Sequence, residues 1–148
     1  MNDIAVKQAA GIQDALHAMD IEAVVVPGMR YWHPFTEEAV KRLANENVDE
    51  VVALSMYPAY SRATSGSSFK EFEWMMKKHL PGAPFTQIEE WAALPAYVDF
   101  LTQQIISALR TLGSEAWPQT GVLFSAHSVP VKLIKRGDPY QKQVEQTF

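Results

Sequence analysis

The chain has 148 residues, no cysteine and a formal net charge of −4. Without cysteine, these residues contain no disulfide framework, no thiolate metal site and no cysteine-ligated iron–sulfur cluster. The acidic balance leaves no basic face for nucleic acid. No apolar run approaches the roughly 20 residues that a transmembrane helix needs, and the first residues lack the pattern of a secretory signal. We therefore expect a cytoplasmic protein that does not bind nucleic acid.

Helical and strand patterns alternate from the start of the chain. The spacing of apolar residues predicts an amphipathic helix over Ile4–Met19. A short β-branched run predicts a buried strand over Glu22–Val26. Thr36 begins a second helix, with a hydroxyl and two following carboxylates that favour a helix amino terminus. Glu50–Tyr57 predicts a second strand, and Phe69–Leu80 predicts a third helix.

The same alternation continues to the end of the chain. Phe85–Ile88 is predicted to be an edge strand, Pro95–Leu112 a long helix and Val122–Ala126 a buried strand, and a helix is expected from Gln141 onward. This order is typical of the α/β class with parallel βαβ units. Three or four strands are few for a complete doubly wound sheet. The pattern therefore leaves open a small complete protein or part of a larger enzyme.

The most informative candidate residue is His127, which follows the predicted strand Val122–Ala126. Pro130 then prevents a full ladder of hydrogen bonds. Ligands of open α/β sheets bind at the carboxyl ends of strands, and an imidazole can bind a metal or carry a proton near neutral pH. Ser125 shares a strand face with His127, but no nucleophile elbow or acid partner supports a serine hydrolase. A purely structural histidine remains the alternative.

Two further loops carry aromatic and cationic side chains after predicted strands. Arg30 and Tyr31 follow the first strand, with Trp32 beside them, and Tyr57 follows the second. A guanidinium suits a carboxylate, and the aromatic rings offer flat apolar faces. Each loop alone also fits a surface arginine over packed aromatics. Taken together, the loops predict a flat aromatic ligand that bears carboxylates.

Longer motifs around these residues resemble those of ferrochelatase, the family that inserts ferrous iron into a porphyrin in haem biosynthesis. The motifs are Gly28-Met-Arg-Tyr-Trp-His-Pro-Phe-Thr-Glu-Glu-Ala39, Tyr57-Pro-Ala-Tyr-Ser, Thr64-Ser-Gly-Ser-Ser68, Phe124-Ser-Ala-His-Ser-Val-Pro130 and Arg136-Gly-Asp-Pro-Tyr140. The resemblance implies a chelatase-like α/β fold with parts of two Rossmann-like lobes, parallel sheets and flanking helices. Residues 1–92 would form the later part of the first lobe, and residues 93–148 the beginning of the second.

The resemblance also implies roles for individual residues. His127 takes the place of the family's metal-insertion histidine, which ligates iron or accepts a pyrrole proton, and its carboxylate partner is not expected in this chain. Arg30, Tyr31, Tyr57 and Ser125 are implied to bind the substrate. The implied substrate is protoporphyrin IX or coproporphyrin III. The resemblance also implies ferrous iron as the second substrate and no required cofactor.

The resemblance covers an incomplete, central portion of a family member, so it does not imply that these 148 residues are active alone. Arg62 stands where some members have a cluster cysteine, and Val129 stands where leucine is usual. A non-catalytic porphyrin-binding remnant and a related tetrapyrrole chelatase are the alternatives. The sequence leaves open peripheral membrane association and the oligomeric state.

Overall fold

A computed structural model describes residues 2–148 of the chain, which divide into two compact units. The first unit contains the residues up to Leu54 together with Ser67–Gln87. The second contains Ser55–Gly66 together with Ile88–Phe148. The predicted division into lobes after residue 92 concerns the larger fold of the family and stays a prediction.

The first unit is a mixed α/β assembly. It contains α1 (Asn2–His17), α2 (Thr36–Asn45), β1 (Val51–Leu54), most of α3 (Ser65–His79) and most of β2 (Phe85–Ile88). The strands β1 and β2 form a two-stranded parallel sheet and α3 connects them, which makes a βαβ unit. This arrangement confirms the predicted α/β class.

The core of the first unit lies among α2, β1 and α3. Its fully apolar buried cluster is Val40, Leu43, Val51, Phe72, Met75 and Met76. Three of them belong to α3: Phe72, Met75 and Met76. Since Met75 and Met76 follow Phe72 by three and four residues, all three lie on one face of the helix. The ring of Phe72 also meets Phe85 edge to face at 5.3 Å. Burial of these side chains therefore fastens both helices to the sheet.

The second unit is mostly helical. It contains α4 (Pro95–Leu112), a 3₁₀ helix (Ser114–Gln119), α5 (Val131–Lys135) and α6 (Tyr140–Glu145). Pro95 occupies the first position of α4, where a missing N–H costs nothing. Within residues 2–148, no helix combines the length and apolarity that crossing a membrane would need.

Several predicted elements agree with the structure. Pro95–Leu112 and Phe85–Ile88 form with the predicted bounds, and α1 and α3 lie within a few residues of their predicted positions. The strand predicted over Glu50–Tyr57 is shorter, because only Val51–Leu54 pairs with a neighbour. The helix predicted from Gln141 ends at Glu145.

Two predicted strands are wrong. Within residues 2–148, residues 22–26 join no sheet. Side chains of α1 contact part of their backbone instead: the Val25 N–H donates to Gln13 Oε1 at 2.9 Å, and His17 Nε2 lies 3.1 Å from the Ala23 carbonyl oxygen. Residues 122–126 also pair with no strand in the part of the chain that the structure describes. A β-branched or apolar run favours a strand only where a neighbouring strand supplies the ladder.

Candidate functional site

A cavity of about 740 Å³ lies within the second unit. Its size falls inside the range of about 300–1,000 Å³ that is usual for small-molecule sites. Apolar and aromatic side chains from α4, from residues 122–129 and from α6 form most of its wall. Three predicted site residues line it together: Tyr57, Ser125 and His127.

His127 lies in the irregular segment before α5, not at the end of a strand. Its imidazole is exposed, and it makes no hydrogen bond with any other group in residues 2–148. A neutral imidazole in that state has a nitrogen lone pair free for a proton or a metal. Ser125 lines the same cavity even though the strand expected to align the two side chains does not form.

The loop over residues 57–64 supplies another part of the cavity wall, through Tyr57 and Thr64. Trp91 holds the start of this loop. Its indole Nε1–H donates to the Ser55 carbonyl oxygen at 2.7 Å, and its backbone N–H donates to the Pro58 carbonyl oxygen at 2.8 Å. The indole ring also meets Tyr97, which lines the cavity, edge to face at 4.8 Å. Trp91 therefore links the loop to the wall formed by α4.

The far part of the same loop is held by a buried carboxylate. Asp138 is 5% exposed, and its Oδ2 accepts hydrogen bonds from Ser61 Oγ at 3.1 Å and from the Arg62 N–H at 2.9 Å. Its Oδ1 accepts from the Tyr140 N–H at 3.1 Å. Sequence reasoning gave Asp138 no role. The one sequence feature that could have pointed to it is a charged residue between glycine and proline in the Arg136–Tyr140 motif.

Tyr60, in the middle of this loop, is held by a hydrogen bond and by close packing. The Tyr60 N–H donates to Gln143 Oε1 at 2.7 Å. Burial of the phenol raises the pKa of Tyr60, and the nearby Glu89 carboxylate acts in the same direction. A Cβ at Gly66 would lie 2.5 Å from Tyr60 Oη, so any other residue there would force the phenol to shift.

The structure pairs Arg30 with Tyr31 in the first unit. Arg30 Nε donates to Tyr31 Oη at 2.9 Å, while Nη1 donates to the Ser67 carbonyl oxygen at 2.8 Å and to Glu71 Oε2 at 3.2 Å. The hydrogen bond between them raises the pKa of Arg30 and lowers the pKa of Tyr31. Tyr31 is 77% exposed, so its ring is open to a ligand. Sequence reasoning missed Glu71.

No group of three or more histidine, cysteine, aspartate or glutamate side chains within residues 2–148 is close enough to hold a metal ion. His127 is therefore a single potential ligand in this part of the chain. Its role at a metal, and the position of a facing carboxylate, stay predictions.

Comparison with known proteins identifies a family over the whole chain. The family model for ferrochelatase matches residues 1–148. Ferrochelatase-1, chloroplastic/mitochondrial, of Arabidopsis thaliana is 39% identical over 95% of this chain and 30% of its own length. The ferrochelatases of Trichodesmium erythraeum and Nostoc sp. are 39% and 38% identical over 99% and 94% of this chain. The chain spans only 30–38% of the length of these relatives, about a third.

Proposed function

Since the chain belongs to the ferrochelatase family, we propose that it supplies the His127 wall of a porphyrin site at which ferrous iron is inserted in haem biosynthesis. The observation that carries this proposal is the cavity of about 740 Å³ that His127, Ser125 and Tyr57 line together. The porphyrin, either protoporphyrin IX or coproporphyrin III, and ferrous iron are both substrates. The proposed compartment is the cytoplasm.

The composition of the cavity wall suits a porphyrin. A macrocycle is flat and largely apolar, so it gains most from apolar and aromatic surface. Phe124 and Phe148, which line the cavity, lie with ring centroids 4.4 Å apart. Leu101 and Ile105 of α4 add aliphatic surface. A few polar groups, with Ser125 and His127 among them, then fix the orientation, as is usual in such sites.

The chemistry of insertion explains why an imidazole belongs there. Two pyrrole N–H protons must leave as the iron enters, so a base near the ring nitrogens accelerates the exchange. A neutral imidazole serves as that proton acceptor or as a ligand of the incoming ferrous iron. His127 suits both roles, because no other group within residues 2–148 occupies its ring nitrogens.

We assign Arg30 and Tyr31 to porphyrin contacts on the first unit. Tyr31 is exposed, and its phenol oxygen accepts a hydrogen bond from Arg30 Nε. Glu71 already uses part of the guanidinium, so Arg30 has only its remaining N–H groups for a porphyrin carboxylate. These contacts are proposed for the first unit by itself.

Because the chain spans about a third of its relatives, we separate binding from insertion. The chain alone is expected to bind porphyrin without turning it over. Insertion is proposed for the chain together with the family segments that it does not span. The protein is therefore purified from its own cells through a tag on this chain, so that any partner polypeptide is retained.

The test compares the wild-type chain with His127→Ala. Porphyrin binding is measured by titration of the Soret absorbance, and insertion is measured as fluorescence of the zinc porphyrin. We expect His127→Ala to abolish insertion and to change porphyrin affinity by less than about threefold, since one polar contact among many apolar ones is lost. His17→Ala, at an exposed histidine of α1, is the control.

Each result decides between the candidate functions. Absence of porphyrin binding by the wild-type chain would refute the proposal. Binding without insertion by the purified assembly would favour the non-catalytic porphyrin-binding alternative. Turnover retained in His127→Ala would remove this imidazole from the mechanism.

A further inference from the structure

The carboxylate of Asp138 lies at the junction of two parts of the cavity wall. On one side it accepts hydrogen bonds from Ser61 Oγ and the Arg62 N–H, in the loop over residues 57–64. On the other side it accepts from the backbone of Tyr140, a residue that lines the cavity at the start of α6. One side chain thus connects two chain segments that are more than 70 residues apart.

The burial of this carboxylate makes the loss of its hydrogen bonds costly. Asp138 is 5% exposed and Ser61 is fully buried. Ionised acceptors form stronger hydrogen bonds than neutral ones, and a buried donor that loses its acceptor cannot turn to water instead. Two neighbouring contacts reinforce the junction: the guanidinium Nη1 of Arg62 donates to the Arg136 carbonyl oxygen at 3.3 Å, and Gln143 of α6 accepts from the Tyr60 N–H.

We propose that Asp138 is a positioning residue, which fixes the loop over residues 57–64 against the amino terminus of α6 and thereby sets the orientation of a ligand beside His127. The inference rests on the proposed function for the identity of that ligand, a porphyrin. Asp138 itself does not line the cavity. Its effect reaches the ligand through Tyr57 and Thr64 on the loop and through Tyr140 on the helix.

The most direct test is Asp138→Asn, which keeps the shape of the side chain. An amide nitrogen cannot accept a hydrogen bond, so the variant keeps at most one of the two acceptor positions. When the amide oxygen stays on the Tyr140 N–H, the Arg62 N–H loses its acceptor and the loop opens more often. Asp99→Asn is the matched control, since it makes the same chemical change at an exposed position on α4.

Loop opening is measured by limited digestion with trypsin. Arg62 is an exposed residue of this loop. Cleavage after it requires the loop to leave its folded conformation. Loss of a hydrogen bond to a charged acceptor is expected to raise that cleavage rate about tenfold. Cleavage after Arg110, at the end of α4, should stay unchanged. An equal rise at both sites would indicate general unfolding and would overturn the proposal.

Ligand orientation is measured separately, by the circular dichroism that the chain induces in the Soret band of bound porphyrin. Asp138→Asn should reduce this signal, because a loop that opens more often holds the ligand in a less defined orientation. It should weaken binding in proportion to the fraction of molecules in which the loop is closed. Asp99→Asn should leave both quantities at wild-type values. Unchanged affinity and unchanged induced dichroism in Asp138→Asn would refute a positioning role, even with a more open loop.

Ser61→Ala provides a second variant for the case in which Asp138→Asn does not fold. It removes the hydroxyl that donates to Asp138 Oδ2 and that accepts from the Ala63 N–H at 3.2 Å, and it leaves the bond from the Arg62 N–H to Asp138. We therefore expect a smaller rise in cleavage after Arg62, about fivefold, with the same direction in the induced dichroism. No change in either measurement would contradict the proposal.

The two hypotheses fail in different ways. If the wild-type chain binds no porphyrin, the proposed function is wrong. The trypsin comparison then still decides whether Asp138 fixes the loop. If the wild-type chain binds porphyrin but the rate of cleavage after Arg62 is the same in the wild type and in Asp138→Asn, the proposed function stands. The inference about Asp138 is then wrong.

Discussion

The most deeply buried large side chains of the first unit are apolar, whereas the second unit buries a serine and an aspartate that are hydrogen-bonded to each other. Val40 and Met76 are each 1% exposed, while Ser61 is 0% and Asp138 5% exposed. The first unit therefore depends on the amount and shape of apolar surface removed from water. The second depends more on the satisfaction of particular donors and acceptors. Loss of a buried apolar side chain should therefore disturb the first unit most, and loss of a hydrogen-bonding group should disturb the second.

Exposed apolar surface sharpens this contrast. In the second unit α4 has no buried residue within the described chain, and Leu123 is 92% exposed. Burial of apolar area thus contributes less to this unit than its sequence suggests. Hydrogen bonds from Trp91 and to Asp138 carry more of the organisation of its cavity.

The largest expected effect is in the first unit. Met76→Ala removes a fully buried side chain from the cluster among α2, β1 and α3 and leaves a cavity there. The free energy of unfolding should fall by about 2–5 kcal/mol. Urea denaturation measures the change, and hydrogen exchange should show lost protection in residues 36–54 and 67–80. Met19→Ala, at a methionine that is 69% exposed, should change stability by less than about 0.5 kcal/mol.

A smaller effect is expected from a polar contact of the second unit. Trp91→Phe keeps an aromatic ring but removes the Nε1–H that donates to the Ser55 carbonyl oxygen. Loss of that bond should lower the free energy of unfolding by about 1 kcal/mol and loosen the start of the loop over residues 57–64. Thermal unfolding and hydrogen exchange of residues 55–60 measure these effects. Trp32→Phe, at an exposed tryptophan, is the control; an equal loss there would contradict the contrast between the units.

The smallest effect concerns acid stability of the first unit. Glu37 Oε1 lies 2.9 Å from Lys78 Nζ, 3.2 Å from Lys41 Nζ and 2.9 Å from His79 Nε2. The hydrogen bond from Lys78, followed by those from Lys41 and His79, lowers the pKa of Glu37 from 4.5 to about 2. Because the folded pKa is depressed, the stabilisation is present above pH 4.5 and is lost as the pH falls toward 2.

Glu37→Gln tests this pH dependence. The variant should show a smaller decrease in unfolding midpoint between neutral pH and acid than the wild-type chain, because its side chain does not titrate. Glu46→Gln provides a control, since its carboxylate is 4.0 Å from a single partner, Arg42. Identical acid profiles for wild type and Glu37→Gln would show that the contacts with Lys41, Lys78 and His79 contribute nothing measurable at this exposed position.

Much of the secondary structure could be predicted because its causes are local. Pro95 and Gly113 delimit α4, and helical spacing of Phe72 and Met76 identifies the buried face of α3. The strands over residues 22–26 and 122–126 could not be predicted correctly, since strand pairing depends on a partner that a local pattern does not contain. In the first case the partner is a side chain of α1, Gln13.

The residues of the candidate site also separate into those that local sequence identifies and those that it does not. Ser125, His127 and Tyr57 were identifiable from motifs, and the structure places all of them on one cavity. Asp138 and Glu71 were missed, because each acts on a residue far away in sequence: Asp138 on Ser61 and Glu71 on Arg30. A motif shows which side chains are present, but not which distant backbone or hydroxyl they hold.

The sequence by itself determined the family, the α/β class and the identity of the residue proposed for metal insertion, because residue types, spacing and motif order are properties of the chain. Only the tertiary structure decided which of these residues share a cavity and what holds its wall in place. The physical reason is that a buried carboxylate such as Asp138 is stable only where folding brings donors to it. Its contacts with Ser61 and Arg62 therefore exist in the fold and not in the local sequence.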